Sequence, residues 1–206
     1  INRSYSMKNL LTLNPVLKGI DPCAYDEILS CANARTVKYK KDSVIFTVGT
    51  KTNEFGILIS GTVHIENIDV WGNRVILHSI QSGNIFAETY ALCNAPMTVY
   101  VTAVENSEVL FIDIDALLSE KNREKSWYTK ILHNMLILSA NKNLAWSDRV
   151  FCTSSKSIRT RVMNYLSSQA IKCSSMDIII PFNRQQMADY LNVERSALSK
   201  ELGKMQ

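Results

Sequence analysis

The sequence predicts an α+β chain in three parts: an antiparallel β domain, one long helix, and a C-terminal pair of short helices. Three observations predict it. Between Thr36 and Asp113 short β-rich runs alternate with turn residues at regular spacing, the texture of a sandwich or barrel. Residues 131–138 are apolar nearly all round, so the helix that carries them must be buried on more than one side. Two short amphipathic patterns flank Asn192 between Asn183 and Lys204, the spacing of a helix-turn-helix.

The elements follow in order. Asp21-Pro22 opens a first helix, with Asp as cap and Pro at the first helical position. Tyr25, Ile28, Leu29 and Ala32 line one face of it up to about Ala34. Strands are expected at Thr36–Tyr39, Val44–Val48, Gly56–Ile59, Thr62–Ile68, Arg74–Ile80, Thr98–Ala103 and Glu108–Ile112. Only Phe86 to Cys93 interrupts them, reading as a helical turn or two, and a β domain closed around it leaves a ligand cavity beneath. A short helix is expected from Asp115 to about Lys121, and a long one from about Lys125 to Phe151. One side of the long helix would cover the β domain. The other would meet the same helix of a second subunit in a two-fold dimer, with Asn143 setting the register. Cys152–Lys156 reads as a hinge. Ser155 or Ser157 then caps a helix carrying Ile158, Val162, Tyr165 and Leu166 to about Ile171, and Asp177–Phe182 is predicted as a short strand. The parts are drawn at 1–120, 121–152 and 153–206.

In the last part Asn183 caps a helix whose Met187, Ala188 and Leu191 face inward. Ala188 suits a helix crossing too close for a larger side chain. Asn192 falls where the turn needs a left-handed residue, and Val193 tucks beneath it. The second helix turns Ala197, Leu198 and Leu202 inward, and Arg195, Ser196, Ser199 and Lys200 outward. Glu201 stands where an apolar residue is common, so Leu202 takes the packing role. A second helix of this kind fits the major groove of double-stranded DNA and offers its first turns to base edges. The plainer alternative is a helix pair packed for stability alone. The chain stops at Gln206, and a small β wing is expected to follow in the natural protein.

Charge is segregated along the chain. The net +4 divides into −7 over residues 41–120 and +8 over 121–172. Nucleic acid would repel the middle of the chain and attract the helical region leading to the C-terminal pair. No apolar run is long enough for a membrane span and no signal-peptide core is present, so a cytoplasmic protein is expected, with no membrane partner. Five cysteines without a CxxC pair argue against a disulfide framework and read as free thiols.

The order of β domain, long helix, hinge and helix-turn-helix resembles the Crp/Fnr superfamily of bacterial transcription regulators. Gly49, Gly61, Gly72 and Gly83 stand at that family's roll turns, and Gly83-Asn-Ile-Phe-Ala-Glu88 looks like its short cavity-helix motif. Pro181 to Lys200 is similar to the signature of a Firmicutes-type subgroup. The resemblance implies a jelly-roll-like β-roll sensing an effector, a homodimer on a two-fold operator, and RNA polymerase as a further candidate partner. It implies neither an enzyme nor a cofactor. Carried across by position, Arg195, Ser196, Ser199 and Lys200 would contact bases, with Arg184 and Gln185 at phosphates.

The effector side departs from the nucleotide-binding pattern. Family members that bind cyclic nucleotides place an Arg and a small hydroxyl residue ten positions after the cavity glutamate; here Thr98 and Val99 stand there. Arg74 is the only Lys or Arg between residues 52 and 120, and an anionic phosphate in a partly dry cavity without a cation is costly. The expectation is an uncharged or weakly charged small molecule other than cyclic AMP. It would lie between the roll (Trp71, Glu88, Thr98, Tyr100) and the long helix (Asn143, Trp146, Ser147). Cys23, Cys31 and Cys93 do not supply an iron–sulfur cluster pattern, and His64, His78 and His133 are read as ordinary histidines rather than haem ligands. The alternatives are a cysteine-based redox regulator and, more distantly, a metal-dependent cupin-like enzyme, whose ligand spacing is absent.

Overall fold

The computed structural model describes residues 10–68, 74–175, 177–180 and 182–205. In the first of its two units a 3-10 turn at Pro22–Ala24 is capped by the Asp21 carboxylate, which accepts from the Cys23 amide. It leads into α1 (Tyr25–Cys31). The strands are β1 (Arg35–Tyr39), β2 (Val44–Phe46), β3 (Glu54–Ser60), β4 (Thr62–Ile68), β5 (Arg74–Gln81), β6 (Ile85–Phe86), β7 (Tyr100–Ala103) and β8 (Ser107–Asp113), with α2 (Glu88–Cys93) between β6 and β7. Then come α3 (Ile114–Leu117), a 3-10 turn at Glu120–Asn122, α4 (Tyr128–Thr153), α5 (Ile158–Cys173), α6 (Arg184–Leu191) and α7 (Arg195–Lys204).

The strands form two four-stranded antiparallel sheets, ordered β1-β8-β3-β6 and β2-β7-β4-β5. That is the strand order of an eight-stranded jelly roll. The first sheet is covered on both faces, which explains why β3 and β8 read as nearly unbroken apolar runs rather than as alternation. Leu58, Val109 and Phe111 point between the sheets, onto Val63, Phe86, Met97, Val99 and Val101. Their neighbours Phe55, Ile57, Leu110 and Ile112 point the other way, onto α1, the segment Leu11–Ile20 and the start of α4. Gly56 is required where β3 meets β6: a Cβ there would lie 2.3 Å from the Phe86 ring.

The expected strands are present with ends shifted by a few residues, and β6 is an addition: Phe86 pairs with Gly56 as strand before α2 begins at Glu88. The expected strand at Asp177–Phe182 is not formed at 177–180. Among the described residues no strand pairs with that segment, and Ile179 is exposed; an extended segment without a partner leaves its backbone groups to water.

Compactness divides the chain between Leu138 and Ser139, inside α4. In the first unit Ile131 and Met135 of α4 are buried with Trp127 in the helix-covered core. In the second, α5, α6 and α7 share a core of Val162, Tyr165, Met187, Ala188, Leu191 and Leu198, to which the helix end adds Cys152. Among the described residues no helix is long and apolar enough to cross a membrane.

Candidate functional site

The C-terminal helix pair is built from its caps inward. The Asn183 side chain accepts from the Gln186 amide while the Gln186 side chain accepts from the Asn183 amide, both at 2.9 Å, a reciprocal capping box that fixes where α6 begins. The helix ends at Asn192, in the left-handed region at φ 52°, ψ 54°. Asn is among the few residues that take this conformation at low cost, and it turns the chain into α7. Met187, Ala188 and Leu191 of α6 and Leu198 of α7 are all but inaccessible. Val193 and Leu202 pack at the margin of the same core.

Burial of one face leaves the other to water. Arg184, Gln185, Arg195, Ser196, Ser199 and Lys200 are all exposed. Arg195 and Ser196 open α7, and Ser199 and Lys200 follow one turn later. Two of the six are pre-engaged in ways the sequence pattern does not reveal: Gln185 Nε2 donates to Asp189 Oδ1 at 2.9 Å and Ser196 Oγ donates to Glu194 Oε1 at 2.7 Å.

A third feature was not legible from spacing. The Arg161 guanidinium on α5 gathers three backbone carbonyls from two separate segments. Nε donates to Ser155 O at 2.5 Å, and Nη1 to Leu191 O at 3.0 Å and Asn192 O at 2.8 Å. It thereby satisfies carbonyls at the end of α6 that helix geometry leaves orphaned. The end of α4 is braced in the same way. Arg149 lies over the rings of Trp146 and Tyr190 and donates to Asp189 O, Lys172 is ion-paired with Asp148, and Asn164 donates to Phe151 O. In the segment expected as a hinge, Cys152–Lys156, the first two residues belong to α4 with Cys152 in the core, and Ser155 O accepts from Arg161.

In the first unit the stretch Gly83–Glu88 has a specific backbone path. Gly83 is at φ 88° and Ala87 at φ 66°, the latter a strained conformation for a residue with a Cβ. Glu88 begins α2 with its side chain buried, accepting from Thr89 Oγ1 at 3.2 Å. Tyr90 Oη and Thr98 Oγ1 share a hydrogen bond of 2.6 Å, so Thr98 stands beside α2. Val99 and Val101 belong to the core between the sheets, so alternation along β7 turns Tyr100 to the opposite face with Thr102, whose hydroxyl donates to the buried Glu66 carboxylate at 2.7 Å. Trp71 lies outside the described residues. Asn143, Trp146 and Ser147 are exposed on α4, in the second unit.

Among the described residues no disulfide is formed: Cys23, Cys93 and Cys173 are exposed, Cys31 half-buried and Cys152 buried. Among the described residues no group of three His, Cys, Asp or Glu is placed to hold a metal ion.

Residues 36–123 match the family described as cyclic nucleotide-binding domain. No curated protein matches the chain. Among solved structures, the Thermus thermophilus catabolite activator protein is similar over 93% of this chain and 86% of its own, with 20% identity and a TM-score of 0.57. DNR from Pseudomonas aeruginosa is similar over 96% of this chain and 86% of its own, with 20% identity and a TM-score of 0.53. The sensor domain of the same transcriptional regulator covers 70% of this chain and 95% of its own, with 20% identity and a TM-score of 0.56. The chain therefore shares the fold of these solved structures, a β-roll followed by helices.

Proposed function

We propose that the chain is a sequence-specific DNA-binding transcription regulator of the Crp/Fnr type, of the Firmicutes-like subgroup. It acts as a homodimer and responds to a small molecule other than cyclic AMP. The observation that carries the reading is the C-terminal pair. Two helices joined through a left-handed Asn192 bury Met187, Ala188, Leu191 and Leu198 and leave Arg195, Ser196, Ser199 and Lys200 exposed on one helix. Such a helix-turn-helix sets its second helix in the major groove. Arg195 and Lys200 suit guanine O6 and N7, whereas Arg184 and Gln185 suit phosphates.

The dimer reading rests on α4. Leu132, Leu136, Ser139, Asn143, Trp146, Val150 and Thr153 recur at alternating steps of four and three, the seam of a two-stranded coiled coil. Leu132, Leu136, Trp146 and Val150 are exposed in the single chain, so an apolar seam with one central Asn waits for a partner. A second copy fits it, because a two-fold axis presents the same seam in return.

The effector reading rests on charge. Thr98 beside α2 carries none, and the clamp for a cyclic phosphate is missing at Thr98-Val99. The test is selection of bound sequences from a random duplex pool, followed by fluorescence anisotropy with the selected site. Binding should be salt-dependent and confined to the dimer. Equal affinity for every duplex would remove the sequence-specific reading, and no affinity at all would remove the regulator reading. Cyclic AMP should leave the binding curve where it is.

A further inference from the structure

We infer that Asn14 and Asn134 are positioning residues that tie the Gly83–Glu88 stretch to the long helix through the segment Leu11–Ile20. The inference rests on the reading of Gly83–Glu88 as the place where an effector acts, and it deepens that reading by naming how the place is connected.

The connection is a row of hydrogen bonds. Asn14 is fully buried. Its Nδ2 donates to Gly83 O at 2.9 Å, and its Oδ1 accepts from the Val16 amide at 3.0 Å. Val16 O in turn accepts from Asn134 Nδ2 on α4 at 2.9 Å, and the same nitrogen donates to Lys18 O at 2.8 Å. Both amides are thereby fixed in orientation: Asn14 needs one donor and one acceptor, and Asn134 meets two carbonyls. Leu11, Val16 and Leu17 are buried around the Asn14 end of this row, where water is not at hand to replace a broken bond, whereas the Asn134 bond to Lys18 O is exposed. A buried carbonyl left unmatched carries its full desolvation cost.

The far end of the row is poised to move. The turn at Gly83 is held from the other side by β3: its amide donates to Leu58 O at 2.8 Å, and Leu58 N donates to Asn84 O at 3.0 Å. Four residues on, Ala87 sits in a left-handed conformation unfavourable to it. A ligand against Glu88 or Thr98 that relaxes Ala87 shifts the turn. The Asn14 bond then passes that shift to the segment, and Asn134 to α4, the helix that continues into the second unit. A direct packing route alone would need no polar residue at either place.

The test is hydrogen–deuterium exchange on the purified full chain without ligand. Asn134→Leu removes the two donations from α4 and should speed exchange of the amides at 83–91 by about tenfold. The amides of β8 in the first sheet, away from that turn, should keep their wild-type protection. Met135→Ala is the comparison: it opens the same helix-covered core one residue away but touches no member of the row. It should leave 83–91 unchanged. If Asn134→Leu does not fold, Asn134→Asp keeps the shape and removes the donors, and the same regional effect is expected. Asn14→Ala and Asn134→Ala should combine less than additively at 83–91, because either one interrupts the row. Unchanged exchange at 83–91 in Asn134→Leu, an equal effect from Met135→Ala, or full additivity overturns the inference. Those outcomes are independent of whether the chain binds DNA or any metabolite, so failure here and failure of the regulator reading are told apart.

Discussion

The two units hold their shape by different means. In the roll, rigidity comes from an apolar sheet buried on both faces, with Phe111 meeting Tyr39 and Phe46 edge-on and Arg35 over its ring. In the C-terminal unit the core is small, and cations supply much of the bracing: Arg161 on three carbonyls, Arg149 on Asp189 and two rings, Lys172 on Asp148. Residues 41–120 sum to −7 and residues 121–172 to +8. The positive charge thus has an internal structural use as well as any external one. A cation count alone overstates how much of it is free to meet phosphate.

The largest effect expected from breaking this contrast is in the roll. Phe111→Ala should destabilise the first unit by about 3–5 kcal/mol, the usual range for an aromatic lost from a packed core. The second unit, followed by the near-ultraviolet signal of Tyr165 and Tyr190, should melt where it does in the wild type. Loss of both transitions together would mean that the division at Leu138 has no thermodynamic counterpart.

Next comes Arg161→Met, which keeps the stem but strands the carbonyls of Ser155, Leu191 and Asn192. A loss of about 2–3 kcal/mol is expected in the second unit alone. Arg161→Lys should recover only part of it, because an ammonium cannot serve the linker and the turn with the same planar fork. Full recovery by Lys would reduce the brace to a simple charge effect.

Smaller effects are expected at the exposed face. Arg195→Ala should cost about 1–3 kcal/mol of discrimination at one base position of a selected site. Arg184→Ala should instead weaken binding to all duplexes and lower the salt slope by about one. If the two variants behave alike, the division between base-reading and phosphate-holding residues falls.

How far the sequence foretold all this depends on the range of the interactions. Strand positions were legible because turn residues such as Ser60-Gly61 and Ser82-Gly83 punctuate them locally. The C-terminal pair was legible because its cap, small residue and left-handed Asn stand at fixed offsets within one short stretch. Strand β6 was not, because Ile85-Phe86 is too short to show a period and owes its form to Gly56, far away in sequence. The Asn14 and Asn134 bonds span 69 and 118 residues, and neither residue belongs to a local motif. Arg161 looked like one more basic residue. Only its three acceptors distinguish it from the exposed Arg159.

The smallest and most selective expectation concerns pH. Burial pushes the Cys152 thiol up from its ordinary value, with Asp148 adding to the rise and Lys172 opposing it. A group whose proton is held more tightly in the folded state contributes stability that is complete below its unfolded pKa, about 8.5 for a thiol, and is lost as pH rises toward the folded value. Tyr165 and Tyr190 are raised chiefly by burial, and Lys172 by its bond to Asp148. They act in the same direction, but from unfolded values near 10 or above. Tyr39 in the roll, also raised by burial, belongs to that later window. Between about pH 8 and 9.5 the C-terminal unit should therefore lose stability while the roll holds, as read from their separate melting transitions. Cys152→Ala should flatten that slope while lowering the unit's stability at every pH through lost packing. A slope that survives the substitution would move its origin to a group other than this thiol, and a roll that softened first would reverse the contrast between the two units.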